Sequence, residues 1–348
     1  MFKNKKYLGI LAIMFVFVML FSLSGCGQED AGPAEDPATP DEPAEETEII
    51  IGFNNGSTTV DFLRQVGESM ERAAAEHGVK LIVAESNFDT EQILPNVDNM
   101  LLQGAQVIVD FNVNAEVGGS LVDYCGEQGV PVIGIDVLYV SPSGEEGWFF
   151  GANNQMAGEV AGKGLAEAIN EQWDGEVEYL LLFFNSENGD LVKKRLSGMY
   201  DGMLAAGIDL PEENVEYIDM GGGGSDTTLA ANQKMTDWLT ANPNLTKIAV
   251  GTVNTETGQG VFSAVQAADR DSNVLLATNN NGQQTLAAFE MGDNCWLGGT
   301  AYYPTRYGDY IIPLALDILA GNNPDKIQTM EHEFLTRKDI DKIIEENQ

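Results

Sequence analysis

The chain has 348 residues, of which 54 are Asp or Glu and 18 are Lys or Arg, so its formal net charge is −36. This acidity excludes nucleic-acid binding, because proteins hold phosphates with Lys and Arg. Three cysteines and two histidines, far apart in the chain, form no recognisable metal site, and we predict no cofactor.

The first 25 residues have the pattern of a secretory signal peptide. Three lysines lie among the first six residues, residues 8–23 are almost wholly apolar, and "LSGC" ends at Cys26. This tetrapeptide resembles the lipobox of bacterial lipoproteins, which implies cleavage before Cys26 and lipid on its thiol. An uncleaved anchor helix with an incidental cysteine is the alternative.

Residues 26–47 are predicted to be an extended, disordered tether. From residue 27 to residue 47 the segment has no base, no aromatic residue and no aliphatic side chain larger than Ala, and it is rich in Glu, Asp and Pro. Such a composition cannot bury enough apolar surface to offset the entropy of ordering. We therefore expect this segment to hold a globular body away from the membrane.

Past residue 48, strands and helices alternate twice. The first series consists of the predicted strands TEIIIGF, VKLIVAES, AQVIVDF and VPVIGID, with helices between them; Asp89 is expected to cap the second helix and Gly78 to end the first. The second series contains EVEYLLLFF, ENVEYIDM, KIAVGT and NVLLATN. Apolar strands separated by helices predict parallel sheets, and hence two doubly wound α/β lobes. Because ligands bind beyond the carboxyl ends of parallel strands, two facing lobes predict a cleft between them.

The order of three segments resembles one protein family. "IIIGFNNGSTTVDFLRQVGESMERAAAEHG", "GVPVIGID" and "GANNQMAGEVAG" follow one another as in the type I periplasmic-binding-protein fold, and are most similar to ribose/galactose-type substrate-binding proteins of sugar ABC transporters. The resemblance implies two lobes joined by a multi-strand hinge. It places the first lobe at residues 48–152 plus 303–329 and the second at residues 153–302 plus 330–348.

The resemblance also implies a set of ligand-binding residues. Carried over position by position, they are Asn54, Asn55, Phe62, Asp136, Arg195, Asn254, Asn281 and Tyr302, with Trp148 and Asn153 as further candidates. Val137 stands where the family has Arg, and Asn281 where it usually has Asp. Asp136 could instead be a turn residue, Arg195 a surface residue, Asn281 part of an Asn-Gly turn and Trp148 a core residue, while Asn153 fits a hinge or scaffold role better.

Carboxylate, amide and guanidinium groups suit a neutral ligand with several hydroxyls, whose C–H faces aromatic rings can cover. The resemblance implies a sugar or polyol as ligand, an ABC-transporter permease as partner, a monomeric state and a place on the outer face of the membrane. The chain has no G-x-S-x-G or H-E-x-x-H motif, so no enzymatic activity is expected. A ligand-sensing accessory protein for a membrane kinase and a surface-anchored hydrolase are the alternatives.

Overall fold

The computed structural model describes residues 48–186, 189–221 and 227–347, and the predicted signal peptide, lipobox and tether lie outside these ranges. No helix in the described ranges is long and apolar enough to cross a membrane.

Two six-stranded sheets organise the described chain. The first contains β1 (Ile50–Asn55), β2 (Lys80–Glu85), β3 (Val107–Asp110), β4 (Val132–Ile135), β5 (Trp148–Ala152) and β11 (Ile327–Met330). The second contains β6 (Tyr179–Phe184), β7 (Val215–Asp219), β8 (Ile248–Thr252), β9 (Val274–Asn279), β10 (Trp296–Thr300) and β12 (Phe334–Thr336). We call the sheets with their helices the first and the second lobe.

The two sheets share one strand order, which confirms the prediction of two similar doubly wound lobes. The first sheet runs β2-β1-β3-β4-β5-β11 and the second runs β7-β6-β8-β9-β10-β12. All neighbours in the first sheet are parallel, whereas β12 is antiparallel to β10 in the second. The order reverses beside β1 in one sheet and beside β6 in the other, and such reversals open a crevice at the carboxyl ends of the strands.

Helices cover both sheets. They are α1 (Asp61–Glu76), α2 (Thr90–Leu102), α3 (Ala115–Gly126), α4 (Asn154–Trp173), α5 (Gly189–Ala205), α6 (Thr227–Ala241), α7 (Thr255–Ala267), α8 (Gln283–Glu290), α9 (Tyr307–Leu319) and α10 (Ile340–Glu346). Their ends follow local sequence signals. Asp89 caps α2 by accepting a bond from the Glu91 N–H at 2.9 Å, and Gly78 takes a φ of +67° just after α1, both as predicted.

The chain passes between the two sheets in three places. These crossings follow Ala152, Thr300 and Met330, the last residues of β5, β10 and β11. The second and third crossings are tied together, since the Ala301 N–H donates to the Glu333 carbonyl at 2.8 Å. Three passages between two lobes, two of them tied together, are an arrangement typical of a hinge.

Candidate ligand site between the lobes

The carboxyl ends of β1 and β3 carry a buried polar network. Asn54 has no exposed surface, and its Nδ2 donates to Asp110 Oδ1 at 2.6 Å. Asn96 donates to Asn54 Oδ1 at 2.8 Å, and the Tyr139 hydroxyl donates to Asp110 Oδ2 at 2.9 Å. Burial raises the pKa of the Asp110 carboxyl, while its bonds from Asn54, Tyr139 and Asn112 oppose that rise. Asn54 therefore braces the rim of the first lobe, and this conformation leaves it no surface for the ligand contact predicted from the sequence.

Asn55 and Asn281 each present a buried oxygen without a partner. The Asn55 side chain is 1% exposed and donates through Nδ2 to the Leu63 carbonyl at 3.0 Å. Asn281, which lies 5% exposed just after β9, donates to the Gly299 carbonyl at 2.9 Å. The Oδ1 atoms of both residues are buried and accept no hydrogen bond among the described residues. Because a buried acceptor without a donor is costly, both oxygens call for a donor from outside the chain.

Asp136 lies at the carboxyl end of β4 in a left-handed backbone conformation, with φ +60°. Its Oδ1 accepts the Ala152 N–H at 2.9 Å and the Tyr307 hydroxyl at 3.0 Å, and its Oδ2 has no hydrogen-bond partner among the described residues. Burial raises the pKa of the Asp136 carboxyl, and the two hydrogen bonds and the charge of Arg195 oppose that rise. Asp136 therefore offers one oxygen to the hinge and keeps the other available.

Arg195 approaches the same place from the second lobe. Its Nε donates to Asn154 Oδ1 at 2.6 Å, and its guanidinium carbon lies 4.8 Å from the centre of the Tyr302 ring. Neither terminal nitrogen of the guanidinium has a hydrogen-bond partner among the described residues. Arg195 is close enough to Asp136 for its charge to favour the ionised form of that carboxyl, which lowers the pKa of Asp136 against the effect of burial.

Tight packing of α4 on α5 sets the position of Arg195. A Cβ placed on Gly158 would lie 1.9 Å from the Arg195 carbonyl oxygen, and one on Gly198 would lie 2.4 Å from the Gln155 carbonyl oxygen. Gly162 and Gly202 make equally close approaches one turn further along. Only glycine allows the helix backbones to pack this closely.

Aromatic rings lie beside the two charges. Tyr302 is 3% exposed and packs with Ala152, Ala157 and Phe62 where the first two crossings meet. Phe62, which is partly exposed, also meets the Tyr307 ring edge-on at 5.7 Å. Burial raises the pKa of the Tyr302 hydroxyl to about 12, so this hydroxyl is neutral.

Asn153 and Asn254 cap helices and keep a free donor. Asn153 Oδ1 accepts the Met156 N–H at 3.1 Å at the start of α4, and Asn254 Oδ1 accepts the Thr257 N–H at 2.9 Å at the start of α7. Each side chain is partly exposed, and neither Nδ2 has a partner among the described residues. Capping holds each amide in place. The Nδ2 of Asn153 can therefore donate to a ligand beside the first crossing, and that of Asn254 beside the end of β8.

The structure places Trp148 away from the candidate site, in keeping with the core role that the sequence left open as the alternative. This residue begins β5 and pairs with Ile133, near the start of β4, so it lies at the amino edge of the sheet. Its ring is covered there by Lys326, whose Nζ lies 5.1 Å from the ring centre. The candidate site lies at the carboxyl edge, so Trp148 is a packing residue in this fold.

Sequence reasoning missed the residues that support the site. Tyr307, Asp110 and Glu346 have no motif of their own that marks them as functional. Position near the end of a predicted strand was a usable signal for Asp110, as it was for Asp136. The roles of Tyr307 and Glu346 depend on contacts across more than 40 residues of chain, which no local pattern encodes.

Comparison with known proteins identifies a family. The profile of the periplasmic binding protein domain family matches residues 51–323. The ribose import binding protein RbsB of Bacillus subtilis (strain 168) is 20% identical over 319 residues, which are 92% of this chain and 96% of that protein.

Solved structures share the fold. A periplasmic solute-binding protein of Actinobacillus succinogenes 130z, crystallised with D-allose, superposes with a TM-score of 0.68 at 18% identity, covering 85% of this chain and 100% of its own. A carbohydrate transporter solute-binding protein of Agrobacterium radiobacter, in complex with D-arabinose, gives a TM-score of 0.66 at 22% identity, covering 87% and 100%. An ABC transporter solute-binding protein of Mycobacterium smegmatis, with bound glycerol, superposes with a TM-score of 0.66 at 18% identity, covering 85% of this chain and 96% of its own.

Proposed function

Since this chain belongs to the periplasmic binding protein domain family, we propose that it captures a neutral sugar or polyol between its lobes and delivers it to an ABC-transporter permease. The observation that carries the proposal is a set of polar groups without hydrogen-bond partners among the described residues: the buried oxygens of Asn55 and Asn281, one oxygen of Asp136 and the terminal nitrogens of Arg195. A ligand that both donates and accepts hydrogen bonds satisfies such a set, and hydroxyl groups do both.

The charges near the crossings favour a neutral ligand. The charge of Arg195 favours the ionised form of Asp136, and with that carboxyl ionised the two residues together contribute no net charge. The amides of Asn254 and Asn281 add polarity without charge. An anionic or cationic ligand would leave one of the two charged groups opposed by a like charge.

The proposed mechanism has no bond-making step. The ligand enters an open cleft, binds one lobe through Asp136 or Arg195, and the lobes close about the three crossings. Closure places the aromatic rings of Phe62 and Tyr302 against the ligand's C–H faces and completes its hydrogen bonds. The closed form then docks on the permease.

The predicted signal peptide and lipobox suggest where the protein is located in the cell. We propose that Cys26 carries lipid, that residues 26–47 form a tether, and that the lobes stand as a monomer outside the cell membrane. One acyl chain binds a membrane only marginally, whereas two or more give stable anchoring. A permease acts at the membrane, so tethering keeps the binding protein near it.

A thermal-shift screen of residues 48–348 with pentoses, hexoses, polyols and nucleosides tests the proposal. We expect at least one neutral polyhydroxy compound to raise the melting temperature in a concentration-dependent way. Arg195→Gln should reduce the shift at a given ligand concentration, while Arg64→Gln, which changes a partly exposed arginine on α1, should preserve it. If only nucleosides or charged compounds stabilise the protein, the ligand class is wrong. If Arg195→Gln responds like the parent, the site is elsewhere.

A further inference from the structure

The second crossing is held by a buried carboxyl from α10. Glu346 is 4% exposed, and its Oε1 accepts the N–H groups of Tyr302 at 2.8 Å and of Tyr303 at 3.2 Å. Tyr303 takes a left-handed φ of +49°, which is uncommon for a bulky residue. The crossing thus turns sharply where Glu346 holds it.

This contact joins the second lobe to its own hinge. The segment leading into α10 is anchored on α8, because the Arg337 guanidinium donates to the carbonyls of Phe289 and Gly292. Tyr302, one of the two residues held by Glu346, packs beneath the Arg195 guanidinium. A change at Glu346 therefore reaches the hinge backbone and the aromatic side of the candidate site together.

The second oxygen of Glu346 has no partner. Its Oε2 is buried without a hydrogen bond among the described residues. A neutral carboxyl tolerates this better than a carboxylate, because desolvating a charge costs far more than desolvating a neutral polar atom. The protonation state of Glu346 therefore affects how well the hinge is held.

We propose that Glu346 is a pH-sensitive latch, whose carboxyl holds the Tyr302–Tyr303 crossing when neutral and loosens its hold when ionised.

Burial of the Glu346 carboxyl has the largest effect on its pKa and raises it, while the bonds from the N–H groups of Tyr302 and Tyr303 favour the ionised form and oppose that rise without cancelling it. Arg306, close to the crossing, favours the ionised form, but it also lies over the Tyr303 ring and 4.0 Å from Glu345. Glu333, on the third crossing, opposes ionisation and is itself bonded to Lys342 and the Tyr303 hydroxyl.

The third crossing contributes one more titratable group to this region. His332 bonds through Nδ1 to the Ala301 carbonyl at 2.9 Å and packs on the Tyr302 ring. Burial lowers the pKa of His332, which keeps its imidazole neutral around and above neutral pH. The ionisation that occurs next to Tyr302 and Tyr303 in that range is therefore that of Glu346.

The direction of the pH effect follows from linkage. Burial raises the pKa of Glu346 from its usual 4.5 to about 7, so the held state binds the proton more tightly than the released state does. The stabilisation of the held crossing by the protonated Glu346 carboxyl is complete below the usual pKa of 4.5. It is lost as the pH rises through the raised pKa of about 7. Between these two pKa values, the equilibrium constant for release of the crossing increases by up to about tenfold per pH unit.

Hydrogen exchange tests the latch without any ligand. The amides of Tyr302 and Tyr303 are measured at about pH 5.5 and about pH 8, corrected for intrinsic exchange, in the parent chain, Glu346→Gln and Glu345→Gln. Gln keeps the acceptor and cannot ionise, and Glu345 is the exposed neighbour on the same helix. We expect protection to fall at least tenfold in the parent and in Glu345→Gln at the higher pH, and to stay constant in Glu346→Gln.

A second variant tests the contact itself. Glu346→Ala removes the acceptor, so both amides should exchange at least tenfold faster than in Glu346→Gln at either pH. The latch is wrong if Glu346→Gln keeps the parent's pH dependence, or if Glu346→Ala leaves both amides protected. Either result would leave the proposed ligand site untouched, since the test involves no ligand.

Discussion

The Arg195 guanidinium carbon lies 4.8 Å from the centre of the Tyr302 ring, while its Nε is bonded to Asn154. The ring, the amide and the close α4–α5 contact together orient one arginine. Among the residues that the structure describes, its two terminal nitrogens have no partner, and neither has one carboxyl oxygen of Asp136 in the other lobe.

Asp136 and Arg195 are expected to bind one ligand cooperatively. Each charge-assisted hydrogen bond contributes about 1.5–3 kcal/mol, so Asp136→Asn and Arg195→Gln should each weaken binding roughly ten- to a hundred-fold. The double variant should lose less than the sum, because a cleft that lacks one contact closes poorly over the other. Calorimetry with a ligand found by screening measures all three, and additive losses would show that the two residues act independently.

Asp136→Ala is a poorer test than Asp136→Asn. Alanine would leave the Ala152 N–H and the Tyr307 hydroxyl without their acceptor. Each unpartnered buried group costs about 1–3 kcal/mol, so the Ala variant should be less stable as well as weaker in binding. Asn keeps an acceptor and tolerates a positive φ. Melting temperatures of the two variants should separate these effects, with Asp136→Asn close to the parent.

Gly158→Ala should move Arg195 and weaken ligand binding. Its new Cβ meets the Arg195 carbonyl, so α5 must shift, at a cost of about 1–3 kcal/mol in unfolding free energy. Gly126→Ala is the matched control, since a Cβ at this position in α3 meets nothing within 4 Å. That control should be neutral or more stable by about 0.5–1 kcal/mol. Chemical denaturation and calorimetry check both, and equal behaviour of the two variants would contradict the role of the α4–α5 contact.

The lipid anchor is tested at Cys26. Cys26→Ala should release the protein from the membrane fraction, because the thiol that takes the lipid is missing. Fractionation with a high-salt wash measures this, and Cys125→Ala serves as the control that should remain membrane-bound. A Cys26→Ala protein that still sediments with washed membranes would indicate an uncleaved anchor helix instead.

Cys125 and Cys295 should react with thiol reagents only when the protein unfolds. Both thiols are free and buried, and they belong to different lobes. Burial raises the pKa of Cys125 to about 12 and that of Cys295 well above its usual value, so little thiolate is present near neutral pH. Labelling of the native mature domain should be slow, and denaturant without reductant should reveal two thiols. A disulfide-linked peptide in a mass map would contradict this.

Much of the fold was readable from the sequence. Apolar runs such as "IIIGF" and "YLLLFF" are buried strands, because parallel strands are covered on both faces and need no polar alternation. The cap at Asp89 and the stop at Gly78 are local backbone chemistry, which acts within a few residues. The family resemblance pointed to Asp136, Asn254 and Asn281, and each of them follows the carboxyl end of a strand, β4, β8 or β9.

Only the tertiary structure decided how each of the candidate residues is buried and hydrogen-bonded. Asn54 and Asn55 are neighbours with the same side chain. The Asn54 amide is hydrogen-bonded to Asp110 and Asn96, whereas the Asn55 side-chain oxygen has no partner among the described residues. Trp148 and Ala152 lie on one strand, but at opposite edges of the sheet. Glu346 reaches the hinge only because α10 docks on the second lobe. Burial and hydrogen bonding between distant segments determine these roles, and such contacts exist only after the chain has folded.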